Sequence, residues 1–170
     1  TLFRPFNWYG PGLDKIDTPK EGGSRVITQF IGNLLRSENI VLVNGGDQRR
    51  CFTYIDDGID ALFGIIDGDM KISNKQIYNI GSPSNDFSIK ELAEKIILHA
   101  KKNKKLEHLA NKVKIYVKSE EEFYGDGYQD VASRVPYIGN TIKDLKWNPT
   151  VTLDNGLITL LDCVIQDQNL

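Results

Sequence analysis

Three stretches of this sequence concentrate residues able to hold or transform a polar ligand. The first is Arg4-Pro5-Phe6-Asn7-Trp8-Tyr9-Gly10-Pro11. It places the amide of Asn7 just past an apolar run that reads as a strand, and open α/β sheets bind ligands beyond the carboxyl ends of their strands. An Asx-turn that merely closes the loop uses the same residue equally well. The second is Asn44-Gly45-Gly46-Asp47-Gln48-Arg49-Arg50-Cys51-Phe52. Paired glycines let a backbone approach a ligand closely. Consecutive arginines in an extended segment face opposite sides, and one guanidinium fork matches a diphosphate. A hairpin turn with two surface arginines has the same composition. The third is Phe123-Tyr124-Gly125-Asp126-Gly127-Tyr128-Gln129-Asp130, continuing to Arg134. Its tyrosines can stack on a base and Arg134 can grip a carboxylate in two-point fashion. A surface loop tied by an Asp130–Arg134 ion pair is the plainer alternative.

Other chemistries find no foothold. The sequence holds no Tyr-x-x-x-Lys pair, no Ser-His-Asp set and no Gly-x-Gly-x-x-Gly fingerprint. Cys51 and Cys163 lie far apart, and His99 and His108 complete no zinc-ligand pattern. A reducing cytoplasm with free thiols is the expectation. With 40% hydrophobic and 26% charged residues the composition is that of an ordinary globular protein. A net charge of -2 gives no broad pull toward nucleic acid or membrane, so neither is expected as a partner. The run Lys101, Lys102, Lys104, Lys105 reads as a solvated helix end.

The elements that must position these loops alternate between strand and helix. Thr1 to Phe6, Ile40 to Val43, Cys51 to Ile55, Gln76 to Ile80 and Val113 to Val117 read as strands. Ser24 is placed to cap a helix carrying Val26, Ile27, Phe30, Ile31, Leu34 and Leu35. Asp56 or Asp57 is expected to cap a second, and Ser88 with Glu91 forms a capping box for a third. Two further helices start near Asn140 and Asp154. The pattern is α/β, with residues 1–170 as one region. The opening run resembles the interior of a strand entered midway, so the chain is expected to be part of a longer one.

Four ordered pieces resemble the extended short-chain dehydrogenase/reductase family: Arg4-Pro5-Phe6-Asn7-x-x-Gly10-Pro11, Gly46-x-Gln48-x-Arg50-x-Phe52-x-Tyr54-Ile55-Asp56-Asp57, Tyr78-Asn79-Ile80-Gly81 and Leu145-x-Trp147-x-Pro149. Within it, Tyr124-Gly125-x-Gly127-Tyr128-Gln129-Asp130-Val131 and Arg50-Cys51-Phe52-Thr53 most resemble the UDP-glucuronic acid decarboxylase half of the bifunctional polymyxin-resistance enzyme. The resemblance implies the C-terminal, substrate-binding part of a Rossmann-type fold, with NAD held by an N-terminal half absent from this sequence. It implies C4 oxidation and decarboxylation of UDP-glucuronic acid to a UDP-4-keto-pentose, on the route to aminoarabinose-modified lipid A, in an oligomeric parent enzyme. It assigns UDP-sugar contacts to Asn7, Arg25, Val41, Asn44, Gly45, Gly46, Gln48, Arg49, Arg50 and Tyr128, and decarboxylation to Arg134. Val41 stands where relatives carry lysine, and Gly12 where they carry arginine. Three alternatives stay open: a UDP-sugar 4-epimerase lobe, a UDP-xylose synthase lobe, and a non-enzymatic UDP-sugar-binding module.

Overall fold

A computed structural model describes residues 1–16, 25–119, 121–122 and 131–169. Nine short strands alternate with seven helices among these residues. The strands are β1 (Leu2–Pro5), β2 (Trp8–Tyr9), β3 (Ile40–Val43), β4 (Arg49–Cys51), β5 (Thr53–Tyr54), β6 (Ile77–Ile80), β7 (Asp86–Ser88), β8 (Ile115–Lys118) and β9 (Ser133–Arg134). The helices are α1 (Val26–Leu35), α2 (Ile55–Asp67), α3 (Met70–Ser73), α4 (Ile89–Lys102), α5 (Glu107–Ala110), α6 (Gly139–Leu145) and α7 (Leu153–Asp167).

The pairing is mostly parallel, as helix-separated strands require. Leu2 to Pro5 lie opposite Ile77 to Ile80, and Ile40 to Val43 opposite Ile115 to Lys118. β2 pairs in parallel with β5. A third group has β4 at its centre, antiparallel to β7 and parallel to β9. The strand expected over Cys51 to Ile55 is therefore broken in two. Phe52 N–H donates to Asn85 O (3.1 Å), which separates β4 from β5 and sends each half to different neighbours.

Helix starts show where local signals hold. Ser88 caps α4 as expected: its hydroxyl accepts from Glu91 N–H at 3.0 Å, and the Glu91 carboxylate accepts from Ser88 N–H at 2.7 Å. α1 carries the expected apolar stripe, but Arg25 holds its cap position without a side-chain cap bond, and Ser24 lies outside the described residues. α2 corrects the expected cap at Asp56 or Asp57. It begins two or three residues earlier, at Ile55, with Tyr54 as cap and both acids inside the first turn. Asp57 is turned to a distant partner instead. Its carboxylate accepts from Thr150 N–H (3.0 Å), Thr150 Oγ1 (3.1 Å) and Val151 N–H (3.0 Å).

The main core gathers α1, α4 and α7 around β3 and the β4–β5 junction, with Ile31, Leu34, Leu92, Ile96 and Leu157 fully buried. A smaller core joins Tyr78 and Ile80 of β6 to Ala61 of α2 and Trp147. Gly156 in α7 marks the tightest approach. A Cβ there would collide with the Tyr9 hydroxyl and lie 2.9 Å from Tyr54 Cδ2. Gly156→Ala is expected to cost about 2 kcal/mol, because an added methyl in a filled core forces neighbours off their rotamers. Denaturant unfolding checks this.

β1 is exposed along its whole length. Its Leu2 and Phe3, with Ile59, Phe63 and Ile66 on α2, are large apolar side chains left in solvent. No helix of the described residues is long and apolar enough to cross a membrane.

A clasp joins α4 to the first turn of α7. Asp154 accepts from Lys95 Nζ at 2.8 Å and lies 2.7 Å from His99 Nε2. The Lys95 ammonium, against some desolvation and with help from His99, holds the Asp154 carboxyl below its ordinary range. The depressed value means this stabilisation is full above the unfolded pKa of about 4 and is lost as pH falls through the folded value. Melting temperature is expected to fall below about pH 4, and Asp154→Asn to fall less steeply over that window. Thermal melts across pH compare the two.

Candidate functional site

Asn7 sits between β1 and β2 with a positive φ of 41°, a conformation asparagine tolerates better than most residues. Its Nδ2 donates to Cys51 O at 3.0 Å, while Thr53 N–H donates to Asn7 O and Thr53 Oγ1 to Phe6 O. The side chain thus crosses to β4. Asn7, Arg25, Pro5, Trp8, Ile27 and Phe52 line a cavity of about 330 Å³. Arg25 reaches it from the start of α1, paired with Asp14. Thr28 Oγ1 donates to Asp14 at 2.6 Å. Burial alone raises the Asp14 pKa, but the Thr28 hydroxyl and the Arg25 guanidinium outweigh it and keep the group below its ordinary range.

Tyr9 walls both this cavity and a second of about 410 Å³ between the Gly10–Ile16 loop and α7. Burial pushes its phenol far above the ordinary range. Burial likewise pushes the Cys51 thiol up to about 12, so Cys51 is an inert core residue.

The two arginines of β4 have different environments. Arg49 is committed internally: Nε donates to Asp86 Oδ2 (3.0 Å), Nη2 to Asp86 O (2.7 Å), and Nη1 reaches Glu91 (3.4 Å). These carboxylates raise its pKa further, and the fork expected to meet a diphosphate is occupied. Arg50 is 8% exposed, which corrects the reading of a hairpin with surface arginines. Its Nη1 donates to Arg49 O (2.8 Å) and Val131 O (2.7 Å). Arg50 stands opposite Arg134 in the parallel β4–β9 register. Register partners project from the same face of a sheet, so both guanidinium-bearing side chains leave one face. Arg134 is exposed, and among the described residues it has no ion-pair partner.

The segment Val41 to Gln48 lies at the carboxyl end of β3. Val41 pairs in register with Tyr116. Asn44, Gly45 and Gly46 form a 3₁₀ turn, braced by Gln48 Nε2 to Val43 O (3.3 Å). Gln48 O in turn accepts Ile89 N–H, so the turn docks on the start of α4. Gly46 is needed for that docking: a Cβ would lie 3.0 Å from Lys90 N. Gly45, at φ 79°, faces open space apart from Asp47. Asn7, Arg25, Phe52 and the Arg50–Arg134 pair are thus linked through the Asn7–Cys51 bond. Tyr128 lies outside the described residues. Among the described residues no cluster of His, Cys, Asp and Glu is placed to hold a metal.

Trp8, Phe52 and Thr53 lie within the stretches and motifs singled out from sequence, but sequence reasoning gave them no role of their own. Phe52 and Trp8 wall the cavity, and Thr53 fixes the backbone on both sides of it. The alternation around β4 and β5 carried a signal, but reading them as one strand hid it.

Residues 1–81 match the sequence model of the NAD dependent epimerase/dehydratase family. The PbgP3 protein from Burkholderia pseudomallei is 47% identical over 95% of this chain, with a TM-score of 0.80, and the match covers 45% of that structure. Pal from Bacillus thuringiensis is 27% identical over 96% of the chain and 45% of its own, with a TM-score of 0.73. UDP-glucose 4-epimerase from Thermotoga maritima, solved with UDP-glucose, is 20% identical over 98% of the chain and 46% of its own, with a TM-score of 0.75. The α/β fold is that of nucleotide-sugar epimerases and dehydratases, and the chain spans less than half the length of these structures.

Proposed function

We propose that this chain is the substrate-binding part of an NAD-dependent enzyme acting on UDP-glucuronic acid. The observation that carries the reading is the Arg50–Arg134 pair on one face of the β4–β9 sheet. Two cations side by side suit an anionic substrate, and the exposed Arg134 fork suits a sugar carboxylate. The cavity lined by Asn7, Arg25 and Phe52 offers an amide, a cation and an aromatic face for the remainder of a nucleoside-diphosphate sugar. Gly45 faces open space in the turn at the carboxyl end of β3.

The residues present do not fit NAD, since no glycine-rich strand-to-helix turn occurs in the sequence. On this reading NAD is held outside these 170 residues, and the isolated chain is expected to be inactive. The unpaired edge of β1 and the apolar flank of α2 support this, because a further parallel strand with its helix would cover both. Held elsewhere in the full-length protein, NAD would supply the two-electron oxidation at sugar C4 that this reading requires.

A 4-keto derivative of UDP-glucuronic acid is a β-keto acid. Its C5–carboxylate bond breaks, carbon dioxide leaves, and the electron pair passes to the C4 oxygen as an enolate that a proton then quenches at C5. Arg134 orients the carboxylate before the step and stabilises the enolate charge after it. A guanidinium holds its proton too tightly to be a good donor at neutral pH, so orientation and charge are its roles.

Product analysis of the full-length protein with UDP-glucuronate and NAD tests the reading. A UDP-4-keto-pentose with released carbon dioxide is expected. A C4 epimer with the carboxylate retained would assign a 4-epimerase, and UDP-xylose would assign an enzyme that reduces the keto intermediate.

A further inference from the structure

At the end of the molecule remote from the Asn44–Gly46 turn lies a dense positive surface. The end of α4, α5 and the approach to β8 bring together Lys101, Lys102, Lys104, Lys105, Lys112 and Lys114, all exposed. The acids facing them are Glu107 and Asp162, the latter accepting from Asn103 Nδ2 at 3.2 Å. Nearby Arg36 and Glu38 neutralise each other. Among the described residues, Lys101, Lys102, Lys104, Lys112 and Lys114 take part in no ion pair. In a chain of net charge -2, the rest of the molecule is therefore distinctly acidic and the charge is polarised.

We propose that this pole is a docking surface for an anionic lipid bilayer. Three observations select lipid. The cations from 101 to 118 are lysines without a single arginine, and lysine is a hydrated point charge suited to a diffuse anionic surface. Neither cavity described above is lined by these lysines, and no exposed aromatic stack of the kind that holds single-stranded nucleic acid stands among residues 101–114. Exposed Leu98 on α4, and Tyr116 and Val117 on β8, border the pole and supply apolar contact at a headgroup boundary.

The orientation is also informative. α4 begins beside Gln48 and runs 14 residues to Lys102, about 21 Å away. A surface bound at the lysine pole leaves the site at the strand ends facing water. The proposal is independent of the substrate reading, since it concerns the opposite end of the chain.

Co-sedimentation of the full-length protein with vesicles tests it. Phosphatidylcholine alone is compared with phosphatidylcholine containing phosphatidylserine, at low and at physiological ionic strength. Salt-sensitive binding to the anionic vesicles only is expected. Changing Lys101, Lys102 and Lys104 to glutamine should weaken it by about a hundredfold. The same change at Lys71, Lys75 and Lys143 should leave it near the unchanged value, with circular dichroism confirming the fold of both variants. Equal partition onto neutral vesicles, unchanged binding by the 101/102/104 variant, or tighter binding to single-stranded RNA than to anionic vesicles in the same buffer would overturn the proposal.

Discussion

Asp57→Ala is expected to destabilise the chain by about 3–5 kcal/mol, enough to unfold a marginal domain. The carboxylate is 4% exposed and accepts three hydrogen bonds from Thr150 and Val151. Removing it strands two backbone N–H groups, each costing about 1–3 kcal/mol when unsatisfied in the interior. The same residue's carbonyl accepts from Trp147 Nε1 at 2.8 Å, so the 147–151 segment is held to α2 twice over. That segment leads into Thr152, whose hydroxyl caps α7 by accepting from Asn155 N–H. Loss of Asp57 therefore propagates to the helix that backs Tyr9 and the cavities beside it. Asp57→Asn keeps one acceptor oxygen and should lose less. Urea unfolding of both variants provides the check, and a loss under about 1 kcal/mol for alanine would mean the segment has other anchors.

This anchor also shows what the sequence can and cannot disclose. The motifs ending in Asp57 and running through Trp147 to Pro149 were visible separately, and nothing local ties them together. They meet because Asp57 is spent on a contact 93 residues away and not on its own helix cap. Capping at Ser88–Glu91 was legible because both partners lie within one turn. The apolar stripe of α1 was legible for the same reason, its spacing being set by the helix itself.

β7, β9 and the split between β4 and β5 were not legible. Each is two or three residues long, below the length at which alternation carries information, and each exists only through its partners.

The site divides the same way. Asn7 and Arg25 were picked out as residue types, and the structure adds that they line one cavity. Arg49 and Arg50 are indistinguishable by type, yet Asp86 and Glu91 occupy the first while register places the second beside Arg134. Burial of Arg50 is a tertiary outcome. It follows from the carbonyl of Val131 folding over the strand to accept its Nη1.

The second large effect concerns Arg134. It is exposed, without an ion-pair partner among the described residues, and shares a sheet face with Arg50. If it grips the sugar carboxylate, truncation should remove selectivity for that group and little else. A two-point guanidinium–carboxylate contact contributes about 2–3 kcal/mol, or roughly 30- to 150-fold in affinity. Arg134→Lys keeps the charge and loses the fork, so it should recover only part of the loss. Arg49→Ala, by contrast, should act on stability through Asp86 and Glu91.

The decisive measurement is the affinity of the full-length protein for UDP-glucuronate and for UDP-glucose, in the unaltered form and as Arg134→Ala, by calorimetric titration. The unaltered protein should prefer UDP-glucuronate, and Arg134→Ala should lose that preference while holding UDP-glucose as before. An Arg134→Ala protein that kept its full preference for UDP-glucuronate would contradict the assignment of Arg134, and with it the carboxylate-bearing substrate.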